Sequence, residues 1–488
     1  MPSRPSTLKR ARRALAGLAL VALLPAGGCA SYLANNPPRE ADREPPDSWG
    51  EQVEVDAGGE TTAAAQQKWE EFFADAHLRA LIEEALDNNQ ELNISLQEII
   101  IAQTEIAARR GEYIPKLDGW VGGGIEKVGR FTSQGVSDES HGVAANLPDL
   151  GFGVSASWEL DVWGKLRNAA KAANQRYLAS VEARNFLVTQ IIAEIADAYY
   201  ELLALDAQLE VIDRNIALQQ DVLKIVKLEK QAARATELAV QKFQAEVLEN
   251  QGKKFDLEQR RVVAENRINL LVGRYPQHVE RDAARLHAGT SLDLPAGIPA
   301  ELLDNRPDVR RAERLLEAAK LDVKSAKARF YPSLSIDAEL GYQAFNARHL
   351  VDTPQSLIYS LAGSLVAPLL NRAAIKADYQ KANAMQIQAV FEFERALLSA
   401  FTEVVNYMAM TKNLAERYDR VQQQVETLRQ AAEISNTLYR SARADYMEVL
   451  MTRRDTLDAE MELIELEKLQ LQARVGLYRA LGGGWRSE

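Results

Sequence analysis

The chain has one cysteine, few histidines and no motif for nucleotide or acyl chemistry. A single thiol, Cys29, cannot form an internal disulfide or a cysteine-based zinc site. The five histidines are scattered, and no two have the i, i+4 spacing of a helical metal site. Phosphate-binding loops and nucleophile elbows are absent from the sequence as well. We therefore expect no enzyme, no cofactor and no resident metal.

The chain has no excess of positive charge, because 69 Asp and Glu residues outnumber 58 Lys and Arg residues. The 488 residues carry a net charge of −11, which excludes the strongly basic surface of a nucleic-acid-binding protein. The hydrophobic content of 47% excludes wholesale disorder, because it is sufficient for a large core.

The N-terminus has the three parts of a secretory signal peptide. Residues 1–13 are basic without any acid, an apolar run follows from Ala14 to Leu24, and small residues precede Cys29. The run is shorter than the roughly 20 residues that span a bilayer. The site resembles a bacterial lipobox, although Ala26 stands where Leu is usual. We predict a signal peptide at 1–28, an acylated Cys29 (palmitate among its acyl chains) and a lipid-anchored, extended arm at 29–65, which is rich in Pro and Gly. An ordinary signal peptide with a chance cysteine is the alternative.

Long helices are predicted where proline and glycine are missing. No proline occurs between Pro148 and Pro276 or after Pro368. Proline breaks helix interiors, so such gaps suit very long helices. Apolar residues from Val188 to Ile216 recur every three or four positions, which is the coiled-coil pattern. Taken alone, the helices favour a plain coiled-coil rod. Their predicted bounds are about 165–233, 236–272, 372–441 and 444–480.

Four segments alternate between apolar and polar residues, at about 117–130, 150–162, 333–345 and 356–368. Alternation over about ten residues, with aromatic side chains among the apolar positions, is typical of transmembrane β-strands. A half-buried strand in a soluble sheet has the same period, and the signal peptide favours the membrane interpretation. The positions expected to face lipid are Phe152, Val154, Trp158, Leu160, Leu334, Ile336, Leu340 and Leu361.

The chain also contains an internal repeat. Residues 113–117 (Tyr-Ile-Pro-Lys-Leu) recur as 331–334 (Tyr-Pro-Ser-Leu), before a strand in each case, and the segment that begins at Asn89 recurs at Asn305. Two copies are predicted, at 66–290 and 291–488, each with the order helix, strand, strand, long helix, helix.

The segments 158–164 (Trp-Glu-Leu-Asp-Val-Trp-Gly), 305–308 (Asn-Arg-Pro-Asp) and 330–332 (Phe-Tyr-Pro) resemble TolC-type outer-membrane factors, most of all the NodT-like lipoprotein branch that serves resistance-nodulation-division pumps. The resemblance implies a mixed fold with a membrane β-barrel and a long α-helical barrel. Three chains would share a 12-stranded barrel in outer-membrane lipid of a Gram-negative bacterium, continued by a coiled-coil tunnel in the periplasm. The partners would be a periplasmic adaptor (membrane fusion) protein and an inner-membrane transporter of that type, with no nucleic acid.

The same resemblance implies passive conduction of drugs or metal ions through a tube gated at its periplasmic helical tip. The gate candidates are Asp445, Arg443 and Tyr439, although this tip lacks the usual glycine and its acid is displaced by one position. The candidates for adaptor contact are Thr236, Glu237, Leu238 and Tyr446. A type I secretion duct and, from another class, a periplasmic coiled-coil scaffold lipoprotein remain as alternatives.

Overall fold

The computed structural model describes residues 37–49, 64–287, 294–370, 372–441 and 443–486. The predicted signal peptide and Cys29 lie outside these residues. In the part described, no helix is both long and apolar enough to cross a bilayer. The chain divides into two compact units, one formed by residues 1–41, 99–179 and 313–392, the other by residues 42–98, 180–312 and 393–488.

The element order repeats once along the chain. The strands are β1 (Lys116–Glu126), β2 (Leu147–Leu160), β3 (Ser333–Ala344) and β4 (Leu357–Val366). The α-helices are α1 (Trp69–Phe72), α2 (Ala76–Asn88), α3 (Gln90–Glu112), α4 (Ser133–Ser140), α5 (Lys165–Gln231), α6 (Glu237–Val272), α7 (Leu302–Asn305), α8 (Pro307–Ala328), α9 (Ala373–Arg440) and α10 (Tyr446–Ala480). The series α3-β1-β2-α5-α6 therefore recurs as α8-β3-β4-α9-α10.

The first unit carries a four-stranded antiparallel sheet in the order β1-β2-β3-β4. β1 ends at Glu126, four residues before its predicted end, because Glu126 already pairs with Leu147, the first residue of β2. The chain then forms α4, which the sequence analysis did not predict. The local signal for this helix is Thr132, whose hydroxyl caps it by accepting a hydrogen bond from the Gly135 N–H.

The second unit is helical, and its core follows the predicted heptad seam. Every apolar residue of that seam from Val188 to Ile216 is buried, so this prediction is confirmed. Asn250 of α6 is fully buried and donates to Gln219 of α5 at 2.9 Å. A buried polar pair of this kind penalises any shift of one helix along the other, because a shifted register leaves both groups unpaired.

The long helices end where the backbone changes conformation. α5 stops at Gln231, shortly before Ala233, whose φ of 55° is left-handed. α10 begins at Tyr446, two residues after its predicted start, because Asp445 is extended (ψ 153°) and so acts as the N-cap residue. At 1.5 Å per residue, α5 is about 100 Å long.

Part of the predicted N-terminal arm is described, and it contains no regular secondary structure at 37–49. It is nevertheless held in place in the second unit. Trp49 is buried, stacks on Phe401 and donates from its indole to the Gly297 carbonyl at 2.8 Å.

The two repeats close with the same joint. α6 is followed by Gly273 and α10 by Gly482, both with left-handed φ (84° and 93°). A methyl group at these positions would lie 2.5 Å from the Asn88 carbonyl oxygen and 2.4 Å from the Asn305 carbonyl oxygen. Two independent reasons therefore favour glycine at each position: the left-handed backbone conformation and the close approach of another backbone segment.

We expect Gly482→Ala to lower the thermal midpoint of the detergent-solubilised protein substantially more than Gly142→Ala. Gly142 also has a left-handed φ, of 69°, but nothing lies within 4 Å of an added methyl group. Both variants carry the conformational penalty of about 1 kcal/mol, and only the first adds the backbone clash. Equal losses in the two melting curves would show that the joint with Asn305 tolerates a methyl group.

A buried carboxylate makes the stability of the second unit depend on pH. Burial raises the pKa of Asp197 to about 6, against the opposing charges of Arg479 and Arg267. Its Oδ1 atom is buried and has no hydrogen-bond partner among the described residues. The folded pKa lies above the unfolded value, so folding disfavours the ionised form. Ionisation of Asp197 therefore lowers the free energy of unfolding by at most about 3 kcal/mol. This loss is complete above about pH 6 and disappears below about pH 4.

Asp197→Asn should therefore raise the thermal midpoint at pH 7.5 and change it little at pH 4. The exposed carboxylate of Asp256, on α6, provides the control. Asp256→Asn should leave the difference between the thermal midpoints at pH 7.5 and pH 4 the same as in the parent. If Asp197→Asn lowers the midpoint at pH 7.5, the carboxylate stabilises the fold as an ion.

Candidate channel-forming surfaces

The strand register collects the apolar residues of all four strands on one face of the sheet. Phe152 lies between Val121 of β1 and Tyr342 of β3, and Val154 pairs with Leu340. The eight residues expected to face lipid all belong to this face. Many of its side chains are open to solvent in the single chain; Val121, Tyr359 and Leu361 are 89%, 80% and 78% exposed. The apolar surface thus belongs to the sheet as a whole.

The opposite face of the sheet consists mainly of small and polar residues, and Trp120, which packs over Gly151, is its one large aromatic side chain among the described strands. The register brings Ser157 beside Asp337 and Ser155 beside Glu339, and Ser335 and Ser364 share a hydrogen bond at 2.7 Å. Such a face suits contact with water. The sheet therefore separates an apolar surface from a hydrophilic one along its whole width.

The outer edges of β1 and β4 have no partner strand in the described sheet. Each edge presents a row of backbone N–H and C=O groups along a strand of ten or more residues. Water satisfies such groups, whereas hydrocarbon does not. The single chain is therefore an incomplete unit if the apolar face enters lipid.

The sequence motifs converge where strands turn into helices. The Asp161 carboxylate accepts hydrogen bonds from the Leu166 and Arg167 backbone N–H groups at 3.0 and 2.8 Å, which caps α5. Trp163 stacks on Tyr331 at 4.8 Å and donates to the Pro332 carbonyl. The tryptophan of one repeat thus packs on the Tyr-Pro motif of the other.

Helices of both repeats also meet around the turn between α5 and α6. Phe243 and Val240 of α6 pack against Val226 of α5 and Leu450 of α10, in a buried cluster that also includes Leu223, Ala239 and Val247. Tyr446 lies partly buried against this cluster, with its ring 6.4 Å from that of Phe243. We call this region the tip cluster.

Of the three gate candidates, only Tyr439 makes a contact between the repeats. Its hydroxyl donates to the Glu229 carboxylate at 2.6 Å and so joins α9 to α5. Burial, followed by this hydrogen bond, raises the pKa of Tyr439, so the phenol remains a donor at physiological pH. Asp445 and Arg443 are exposed, and Asp445 makes no side-chain cap to α10. Sequence reasoning missed Glu229, because nothing in the local pattern distinguishes it from other helical acids.

Three of the adaptor-contact candidates, Thr236, Glu237 and Leu238, lie at the start of α6, and the fourth, Tyr446, is the first residue of α10. The Thr236 hydroxyl caps this helix by accepting from the Ala239 N–H at 3.2 Å. Glu237 pairs with Lys230 and Gln241, and hydrogen bonds from these two side chains lower its pKa. Leu238 is 60% exposed and offers an apolar contact. Tyr446 is less accessible than these three, since it packs on the tip cluster.

A sequence-family model described as outer membrane efflux protein matches residues 81–274 and 298–483 of this chain. The chain belongs to the outer membrane efflux protein family. The matched regions include all four strands and most of the long helices, in both repeats. In the described residues, no group of three or more His, Cys, Asp or Glu side chains could hold a metal ion.

Named relatives agree with this membership. The pyoverdine export outer membrane protein OpmQ of Pseudomonas aeruginosa is 29% identical and aligns with 88% of this chain and 90% of its own length. The cation efflux system protein CusC of Escherichia coli is 26% identical, over 86% of this chain and 88% of its own length. The open state of the Neisseria gonorrhoeae MtrE outer membrane channel has the same fold, with a TM-score of 0.79 and 23% identity over 92% of this chain and 97% of its own.

This efflux protein is an outer-membrane channel component that extends into the periplasm of a Gram-negative bacterium. Its homologues are outer membrane factors of tripartite efflux pumps, which implies adaptor and inner-membrane transporter partners. Proteins of the family are transport channels and not enzymes. The predicted family, fold and function are thus confirmed, whereas the individual gate and contact residues stay predictions.

If the bond between Tyr439 and Glu229 holds the tip closed, Tyr439→Phe should raise the open probability in planar bilayers. Removal of a hydrogen bond to a charged group costs about 1.5–3 kcal/mol, so we expect an increase of about tenfold or more for each copy of the bond that the variant removes. Tyr446→Phe is the matched control, because it removes a phenol hydroxyl from the same region and leaves its ring in the tip cluster. Equal single-channel records for Tyr439→Phe and the parent would exclude Tyr439 from the gate.

Proposed function

We propose that three copies of this chain form one closed conduit, which passively exports small molecules delivered from the periplasm. The observation that carries this proposal is the sheet, which has one continuous apolar face, one polar face and two unpaired edges. Pairing β4 of one copy with β1 of the next would satisfy both edges and leave no backbone group exposed to lipid.

The number of copies is the one that the family resemblance implies, and the size of the lumen agrees with it. Two copies would give eight strands, and the interior of an eight-stranded barrel is just filled by its own side chains. Three copies give twelve strands and leave space for water. The polar face, with Ser155, Ser157, Asp337 and Glu339, would line that space. The apolar face, with the eight predicted lipid-facing residues, would contact the hydrocarbon.

We propose that the two repeats, 66–290 and 291–488, are the units from which the conduit is built. Each supplies two strands, one long helix and one shorter helix, so three chains supply six units. The chain needs no energy-converting site of its own in this arrangement, because the transporter supplies the driving force.

The cargo is proposed to be small. Pyoverdine and cations are named as the exports of OpmQ and CusC, and neither is a protein. This supports small-molecule efflux over the alternative of a type I secretion duct. A periplasmic coiled-coil scaffold would leave the apolar face of the sheet exposed to water, so the sheet argues against that alternative.

A lipid anchor at Cys29 is part of the proposal. The basic start, short apolar run and small residues before Cys29 support cleavage after residue 28. Several acyl chains would then tether the N-terminal arm to the outer membrane.

The barrel proposal predicts different outcomes for arginine at adjacent positions of β4. Leu361 belongs to the apolar face, makes no described hydrogen bond and is 78% exposed, whereas Ser360 belongs to the polar face and pairs with Glu339. Leu361→Arg should cost about 2–4 kcal/mol at the bilayer midplane and reduce the yield of membrane-inserted trimer. Ser360→Arg should preserve it. Equal trimer yields on native gels of outer-membrane extracts would exclude the assigned faces.

The direct test is planar-bilayer conductance of the purified protein, with its oligomer mass measured on the same sample. A trimer that shows discrete conductance steps supports the proposal. A non-conducting oligomer would contradict it and would restore the scaffold interpretation.

A further inference from the structure

A basic pocket lies in the first unit, next to the place where strands and helices join. Its volume is about 590 Å³, and it is formed by the end of α3, the first turns of α5 and the second half of α8. The charged side chains that line it are Arg110, Arg167, Lys171, Glu317, Lys320 and Lys324. Five cations therefore surround one carboxylate, in a protein whose net charge is −11.

Three of these cations have no ion-pair partner among the described residues: Arg110, Lys171 and Lys324. The other two are neutralised in part. Arg167 pairs with Asp161 at 3.1 Å, and Lys320 pairs with Glu317 at 3.1 Å and with Glu40 at 3.4 Å. Arg110, Lys171 and Lys324 are exposed. Their mutual repulsion is unfavourable unless an anion joins them, so the pocket offers three free cationic groups to a ligand.

A second, more apolar pocket of about 600 Å³ adjoins the first and shares Arg110, Tyr113 and Asn174 with it. Ile106, Ala107, Ile114 and Tyr177 supply its apolar wall. A cationic pocket that continues into an apolar one matches an amphiphile with an anionic head and a hydrocarbon tail. A free inorganic anion would use only the first pocket.

The pocket is also tied to the apolar face of the sheet. The carbonyl of Tyr113, a residue of both pockets, accepts a hydrogen bond from the indole of Trp158 at 3.0 Å. Trp158 belongs to the apolar face through its pairing with Ile336. Tryptophan at such a position is typical of the boundary between lipid tails and headgroups. The strands meet the periplasmic helices at this end, so the adjacent lipid layer is the inner leaflet of the outer membrane, which consists of phospholipids.

We propose that this basic pocket binds the phosphate of an anionic phospholipid headgroup, with an acyl chain along the adjoining apolar wall. The inference rests on the proposed placement of the sheet across the outer membrane. Bound lipid would fix the depth of the sheet, because Arg110 lies on the last turn of α3, just before β1, and Lys171 lies on the first turns of α5, the helix that follows β2. Basic residues near a membrane surface each contribute appreciably to the attraction of anionic lipid.

The test is native mass spectrometry of the full-length protein in neutral detergent, titrated with short-chain phosphatidylglycerol, phosphatidylethanolamine or inorganic phosphate at constant ionic strength. We expect phosphatidylglycerol to bind at one site per chain at least tenfold more tightly than phosphatidylethanolamine. Arg110→Gln, Lys171→Gln and Lys324→Gln combined should abolish this preference. Glu317→Gln should strengthen it, which an unfolded variant would not do.

The matched control combines Lys227→Gln, Lys242→Gln and Lys412→Gln, which removes three exposed cations of the second unit and should leave the preference intact. An equal affinity of the parent for both lipids would overturn the proposal. So would displacement of phosphatidylglycerol by inorganic phosphate at equal concentration, which would indicate a plain phosphate site. Conductance of the same sample in zwitterionic bilayers separates the two proposals. A conducting trimer without lipid preference rejects the lipid site alone, whereas a sample that neither trimerises nor conducts rejects the proposed function.

Discussion

The requirement on which the rest of the structure depends is that every backbone N–H and C=O group in hydrocarbon must have a hydrogen-bond partner. β2 and β3 meet it inside the chain, since each has a partner on both sides. β1 and β4 satisfy this requirement on one side only, because each has one partner strand in the described sheet. Exposure of the apolar face of the sheet to water is unfavourable, and exposure of its unpaired edges to lipid is unfavourable as well. In the proposed assembly, copies of the chain join edge to edge, which would pair the open edges and place the apolar face in lipid; membrane insertion would then require oligomerisation.

The same requirement explains which parts of the fold the sequence predicts well. A strand between lipid and water must alternate, and this period is visible in the residues around Phe152 and Leu334. The ends of the strands are set by partners instead. β1 stops at Glu126 because β2 begins opposite this residue, and no local residue pattern predicts that pairing. The long helices are predicted from missing prolines, but the end of α5 and the start of α10 depend on the backbone conformation at Ala233 and Asp445.

The candidate sites divide along the same line. The lipid-facing residues could be predicted because a whole face shares one property. The bond between Tyr439 and Glu229 joins residues 210 positions apart, and the basic pocket collects side chains from three helices. Neither site produces a repeating pattern in the sequence, because each of its residues is a polar residue on a long helix that has many others. Only the packing of the two repeats brings them together, as it brings Trp163 of one repeat onto Tyr331 of the other.

A gate of this type can remain closed and still be opened by a partner. One hydrogen bond from Tyr439 to a carboxylate contributes about 1.5–3 kcal/mol, and threefold symmetry would repeat it in each copy. The closed state would then be favoured by several kcal/mol, so that very few channels open spontaneously. To open such a channel, the partner must bind the open state more tightly by more than this amount, since even a shift from 1:99 to 99:1 needs a difference in binding free energy of about 5.5 kcal/mol. Three adaptor contacts, each as modest as an apolar contact with Leu238 plus a charged contact with Glu237, can together supply that difference. In the proposed trimer, the symmetry that would hold the tip closed would therefore also make it responsive, because the number of bonds and the number of adaptor contacts are multiplied by the same factor.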